Sequence, residues 1–216
     1  MDVFIVGEDT ACKAVIRRII AFCANAKHTP IQILPQQFPV RGGGIKNKIK
    51  NFNKLSVHTP VILLTDLDNN ICPPMFITAL LDGDRKNENF VLSIAVDEVE
   101  AWLLADREGI ARYFDISIER IPFPSKITMQ GRVEKTEISC PCKTSLYFVL
   151  QILPYSRNKT LIKQLTPRKG AVKGPEYNIG MTPFIQNHWN IEAAMKNSDS
   201  LAGMINRIYR LIDNNG

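Results

Sequence analysis

The chain has too few cysteines to be held together by sulfur. Cys12, Cys23, Cys72, Cys140 and Cys142 are odd in number and scattered, so neither a disulfide framework nor a four-ligand zinc site follows. Free thiols in a reducing compartment are the expectation. Cys140-Pro141-Cys142 is too tightly spaced for ordinary zinc chelation and has no partner pair. Histidine is scarcer still: His28, His58 and His188 lie far apart and suggest no constellation. No apolar run approaches the roughly 20 residues that span a bilayer, and the first residues enter a strand without a basic start and an apolar export segment. The expectation is a cytoplasmic protein with no membrane partner. Internal repeats, low-complexity tracts and a Gly-Lys-Ser/Thr nucleotide loop are absent as well.

What is present is a chain of 216 residues, 45% apolar, long enough for one large domain or for a core with an appendage. Its 27 Lys and Arg against 21 Asp and Glu leave a net charge of +6 and a pI near 9.1. That balance favours a polyanion such as nucleic acid, although many soluble proteins share it. The pattern predicts a strand at Val3 to Gly7, a helix from Thr10 to Ala26 and a short or edge strand within Thr29 to Phe38, interrupted by Pro30 and Pro35. A helix over Ile45 to Leu55, a strand over Val61 to Thr65, a helix from Pro73 to Leu81 and a strand over Phe90 to Val96 follow. A helix from Glu98 to Tyr113 would bury Val99, Trp102, Leu103, Ile110 and Phe114. Such alternation implies an α/β fold with a mostly parallel sheet flanked by helices, its functional groups at the C-terminal strand ends. Beyond Asp115 the pattern breaks into Pro-containing and basic segments, with helices expected at Lys143 to Leu153, Ser156 to Leu165, Thr182 to His188, Asn190 to Lys196 and Ser200 to Ile212. Residues 1–115 are therefore expected to form the core and 116–216 a basic, mainly helical C-terminal region packed on it.

Three acidic clusters fall at those strand ends: Glu8-Asp9, Asp66 with Asp68, and Asp97, Glu98 and Glu100. Uncompensated carboxylates at one sheet edge repel, and a hard cation relieves them, which points to Mg2+ or Mn2+. Two carboxylates two residues apart on a strand point the same way along the pleat and can share that cation. Blander readings stand beside this one: Glu8 as a helix N-terminal acid, and Asp68-Asn69-Asn70 as a turn. Asp9 and Asp97 read as helix-start residues. Arg41 with Lys46, Lys48 and Lys50, and Arg168 with Lys169 and Lys173, are basic segments suited to phosphate contacts or equally to solvated faces.

Glu8 with Asp66-x-Asp68 resembles the pattern of the TOPRIM domain. The run Ile94-Ala95-Val96-Asp97-Glu98-Val99-Glu100-Ala101-Trp102-Leu103-Leu104-Ala105-Asp106 narrows the resemblance to a TOPRIM-like family of uncharacterised bacterial proteins, related to the OLD-type nucleases. The resemblance covers the first 115 residues, with Gly174-Pro175-Glu176-Tyr177 and Ser198-Asp199-Ser200-Leu201 similar to the family's tail. It implies that Glu8 is a metal-linked acid or general base, that Asp66 and Asp68 hold metal, that Glu100 with Glu98 completes a second metal site, and that a late lysine, Lys173 or Lys169, takes part. The chain departs from the pattern at Cys12, where some relatives carry an acid, and in reading Val-Gly-Glu where Glu-Gly is usual.

The resemblance implies a metal-dependent nuclease on DNA or RNA, tRNA included. It implies further an effector subunit of an antiphage defence system, working with an ABC or SMC-like ATPase encoded nearby. Two alternatives stand: a non-catalytic TOPRIM-fold subunit that binds such an ATPase, and a receiver-type phosphoacceptor domain built on Glu8-Asp9 and a mid-chain Asp. The number of copies is left open, a homo-oligomer included.

Overall fold

A computed structural model describes residues 1–35, 44–68, 72–129, 133–171 and 173–215. The chain forms two compact units, one made of 1–95 with 202–216, the other of 96–201. The boundary expected at residue 115 falls inside the second unit.

The first unit is the α/β part. Its order is β1 (Asp2–Gly7), α1 (Thr10–Ala26), β2 (Gln32–Ile33), α2 (Ile49–Leu55), β3 (Val61–Asp66), α3 (Pro73–Leu81) and β4 (Phe90–Ala95). The strands lie in the order β2-β1-β3-β4, and every pair is parallel. Val61, Ile62, Leu63 and Leu64 are fully buried, as a central parallel strand covered on both faces requires. Each such side chain contributes about 1.5–3 kcal/mol of transfer free energy. β2 is a two-residue edge, because Pro30 and Pro35 beside it lack the N–H that would extend its ladder. α1 turns Ala11, Ala14, Val15, Ile16, Ile19, Ile20 and Cys23 inward. From Ala202 on, the last helix belongs to this unit: Lys27 pairs with Asp213 at 2.7 Å, and Arg207 donates to Ser93 Oγ at 3.1 Å.

The second unit is mainly helical: α4 (Val99–Leu104), α5 (Arg107–Phe114), β5 (Pro124–Met129), β6 (Val133–Ile138), α6 (Thr144–Tyr147), α7 (Lys159–Leu165), α8 (Tyr177–Pro183), α9 (Ile191–Asn197) and α10 (Asp199–Asn215), which begins here. Three departures from expectation have local causes. The helix predicted from Glu98 to Tyr113 is two helices, broken at Asp106. The buried carboxylate there caps α5 by accepting the Gly109 N–H at 3.0 Å, and it also accepts the Asn190 N–H at 2.8 Å. An antiparallel pair, β5 with β6, stands in a stretch of the mainly helical region to which the sequence pattern assigns no element; Ile127, Thr128, Val133, Thr136 and Ile138 are its β-branched signal, diluted by Lys and Glu. The helix predicted for Lys143 to Leu153 holds only four α-helical residues before a π-helical turn over Phe148–Ile152. The predicted apolar face is nonetheless buried: Val99, Trp102, Leu103, Ile110 and Phe114 are all in the core. Trp189 is buried too. Among the described residues no helix is long and apolar enough to cross a membrane.

Candidate functional site

The strand order reverses at β1, because the chain leaves it for β2 on one side and comes back to β3 on the other. Ligands of open α/β sheets bind outside the C-terminal strand ends at such a switch point. Glu8 follows the last residue of β1, and Asp66 is the last residue of β3. Gly7 pairs with Leu64, which brings Glu8 level with Thr65, and the Thr65 hydroxyl donates a short hydrogen bond to Glu8 Oε1. Thr65 is fully buried and orients the Glu8 carboxylate. Sequence reading passed over it; its one signal is a hydroxyl after four apolar residues of the strand.

Cys12 lies one helical turn after Glu8, in the first turn of α1. Its thiol is buried, donates to Leu64 O at 3.6 Å, and is held well above its ordinary pKa. Burial is the largest cause and the negative charge of Asp66 the next, with Asp9 and Glu8 adding to it. The thiol thus stays neutral in a field set by three carboxylates. Gly7 permits this closeness, since a Cβ there would stand 2.9 Å from Cys12 Sγ. Asp9 is the N-cap of α1, as expected, and accepts the Cys12 N–H at 2.7 Å.

Asp68 does not continue the pleat. β3 ends at Asp66, and Asp68 has φ near 51°, a left-handed conformation that Asp tolerates. The two carboxylates therefore do not leave one strand in the same direction. Asp68 instead pairs with Lys46 Nζ at 2.8 Å. Lys50 pairs with Asp82 at 2.7 Å, so two of the cations expected to face phosphate are held by carboxylates of their own unit. Lys48 is exposed, and Arg41 lies outside the described residues.

The third acidic cluster belongs to the second unit and is engaged there. Asp97 is not the cap of α4: with φ near 64° its carboxylate takes the Thr144 N–H at 3.1 Å and the Thr144 hydroxyl, at the start of α6. Burial raises the Asp97 pKa, and those bonds oppose the rise. Glu98, the residue before α4, accepts the Ser145 N–H at 2.8 Å through Oε2, and its Oε1 lies 3.6 Å from Lys143 Nζ. Both oxygens of this expected metal ligand thus have partners. Glu100 is buried and pairs with Lys173 at 2.8 Å, while Lys173 Nζ lies 4.9 Å from the centre of the Tyr177 ring. Burial raises the Glu100 pKa, and Lys173 pulls it back. Glu100 and Lys173, singled out separately in the sequence, are one ion pair. Arg168 and Lys169 are exposed. Cys140 and Cys142 are half-buried free thiols, and burial pushes Cys140 up to about 12.

Among the described residues no three His, Cys, Asp or Glu side chains form a metal cluster. The donor chemistry at the switch point fits a different kind of ion: Mg2+ takes one or two carboxylates and completes its shell with water and substrate phosphate. Glu8 and Asp66 are the two carboxylates at these neighbouring strand ends, whereas a dedicated all-protein cage is not present among the described residues.

Fold and site together define an α/β protein with a carboxylate pair at the switch point of a parallel sheet. The chain belongs to a family described as a domain of unknown function, DUF4276, whose model matches residues 6–144. No curated protein and no solved structure gives a significant match. The matched span contains Glu8, Asp66, Asp68, Glu98 and Glu100 and stops short of Arg168, Lys169 and Lys173.

Proposed function

We propose that the chain is a Mg2+- or Mn2+-dependent nuclease that hydrolyses phosphodiesters of DNA or RNA, tRNA included. The observation that carries this reading is the placement of Glu8 and Asp66 at the C-terminal ends of the two neighbouring strands of the switch point. A divalent cation held by Glu8 and Asp66 would supply Lewis-acid polarisation of a phosphoryl oxygen and an acidified water. Thr65 fixes one oxygen of Glu8, which leaves that carboxylate pre-oriented to bind or to take a proton. Lys46 offsets the charge of Asp68 and keeps positive charge beside the acidic edge, where a phosphate would come in. The net charge of +6 suits a polyanionic substrate. Glu98 and Glu100 are left out of the ligand set, since each has partners in its own unit.

The resemblance to TOPRIM nucleases extends the proposal to a cytoplasmic effector subunit that works with an ABC or SMC-like ATPase in antiphage defence. The test is incubation with DNA and with tRNA in Mg2+ or Mn2+, alone and with the product of a neighbouring ATPase gene. Metal-dependent cleavage is expected, and Glu8→Gln with Asp66→Asn should lower it by about 10²-fold or more. Cleavage that survives both substitutions overturns the mechanism.

The Lys46–Asp68 pair favours a second reading, in which a non-catalytic subunit keeps the fold for contact with its ATPase. Calorimetric titration with Mn2+ separates the two, because an inert subunit gives no binding heat. The receiver-type reading has less to stand on. It needs a Lys at the end of a later strand, and the parallel sheet among the described residues stops at β4.

A further inference from the structure

A cleft of about 560 Å³ in the second unit is lined by Asp115, Ile116, Ser117 and Arg120 on one stretch of chain and by Tyr155 and Arg157 on another. That volume is in the range of small-ligand sites. Both walls are fixed from behind. Arg107 donates through Nε to Pro122 O at 3.0 Å and through Nη2 to Ile118 O at 3.2 Å and Ile121 O at 3.1 Å, which pins the 3-10 turn carrying Arg120. The buried Ser156 hydroxyl donates to Phe114 O at 2.6 Å, and Asn158 Nδ2 donates to Tyr113 O at 3.2 Å, which pins the stretch carrying Tyr155 and Arg157. On this frame the Arg120 guanidinium lies 3.3 Å from the centre of the Tyr155 ring.

These hydrogen-bonded walls present two exposed guanidinium groups that take part in no ion pair among the described residues. Guanidinium groups match phosphate oxygens with forked, charge-assisted hydrogen bonds. A guanidinium stacked on an aromatic ring is a planar, positively charged platform of the sort on which bases stack. Asp115, in a left-handed conformation at the end of α5, adds a carboxylate to the same cleft, and Ser117 adds a hydroxyl. A carboxylate repels a bare anion, whereas it accepts hydrogen bonds from the hydroxyls of a sugar or the amino group of a base.

We propose that this cleft binds a nucleotide, with its phosphate on Arg120 and Arg157, its base on the Arg120–Tyr155 stack, and its sugar or base donors on Asp115 and Ser117. The nucleotide is either free or one unit of a single strand. The site is independent of the metal chemistry assigned to the first unit.

The experiment is fluorescence anisotropy on the full chain in EDTA, with labelled single-stranded oligo-dT and oligo-rU of roughly eight nucleotides, and with AMP, ATP and inorganic phosphate as competitors. Saturable binding of a single strand is expected, weakened about tenfold or more by Arg120→Ala with Arg157→Ala. Competition by AMP or ATP assigns the site to free nucleotides as well as strands; strand binding without it assigns the site to a strand unit. Arg157→Ala alone, at an exposed position, should weaken binding severalfold and covers the case in which losing the Tyr155 stack unfolds the double variant. Absence of binding overturns the proposal, as does binding indifferent to Arg157→Ala or competition by inorganic phosphate equal to that by nucleotides. Because EDTA removes the cation, failure here leaves the nuclease reading standing, and loss of cleavage on Glu8→Gln leaves this one.

Discussion

Lys173→Met tests whether the Glu100–Lys173 pair holds the second unit together. The substitution keeps an unbranched apolar stem against Tyr177 and removes the ammonium 2.8 Å from Glu100 Oε1. Removing one partner of a fully buried pair costs about 3–5 kcal/mol, because a charge is left behind without compensation. Glu100 meets that condition, with 6% of its side chain exposed, but Lys173 is 36% exposed, so water replaces part of what it offers. We therefore expect about 2 kcal/mol at neutral pH after that discount. The pH dependence has a definite sign. Burial already lifts the folded Glu100 pKa, and loss of Lys173 lifts it further. Above the ordinary glutamate value of about 4.3 the unfolded chain has released a proton that the folded variant retains, so stability falls as pH climbs toward the raised folded value. The penalty of Lys173→Met should be larger at pH 8 than at pH 5. Urea unfolding followed by tryptophan fluorescence reads this directly, since Trp102 and Trp189 are the chain's two tryptophans and both lie in the second unit. Glu100→Gln added to Lys173→Met should recover most of the loss. A penalty below about 0.5 kcal/mol at pH 8, or one that does not change with pH, would refute the reasoning.

Asp106→Ala should cost about 2–4 kcal/mol in the same assay, because the Gly109 and Asn190 N–H groups both lose their acceptor; Asp106→Asn, which keeps one acceptor oxygen, should cost less. Lys46→Met removes the cation beside Asp68 and should tighten Mn2+ binding by about threefold to tenfold in calorimetry, and unchanged or weaker binding would show that Asp68 contributes nothing to the cation.

The first unit was legible because its signals are local and agree with one another. Thr10–Ala26 has helical spacing and an Asp9 cap, and Pro73–Leu81 starts on Pro and ends at Asp82 in a left-handed conformation. The second unit was harder to read, since its breaks depend on distant partners. Nothing near Asp106 in the sequence announces that Asn190 donates to it, and that bond helps to split one apparent helix in two. The sheet pair β5–β6 escaped notice because its anchor, Glu137, is a buried carboxylate that accepts from the Ser198 hydroxyl and the Ser200 N–H, both at 2.6 Å, far along the chain.

The candidate site divides the same way. By itself the sequence determined that carboxylates follow three apolar strands, because strand periodicity and residue type are local properties of the chain. Only the tertiary structure decided which of them share a setting. Parallel register sets Glu8 against Thr65 at the end of the strand that Asp66 closes, the backbone turns Asp68 toward Lys46, and Asp97, Glu98 and Glu100 satisfy a helix start and a lysine in another unit. The reason is physical: a carboxylate's role depends on which donors and charges surround it, and those come from residues tens of positions away in the chain.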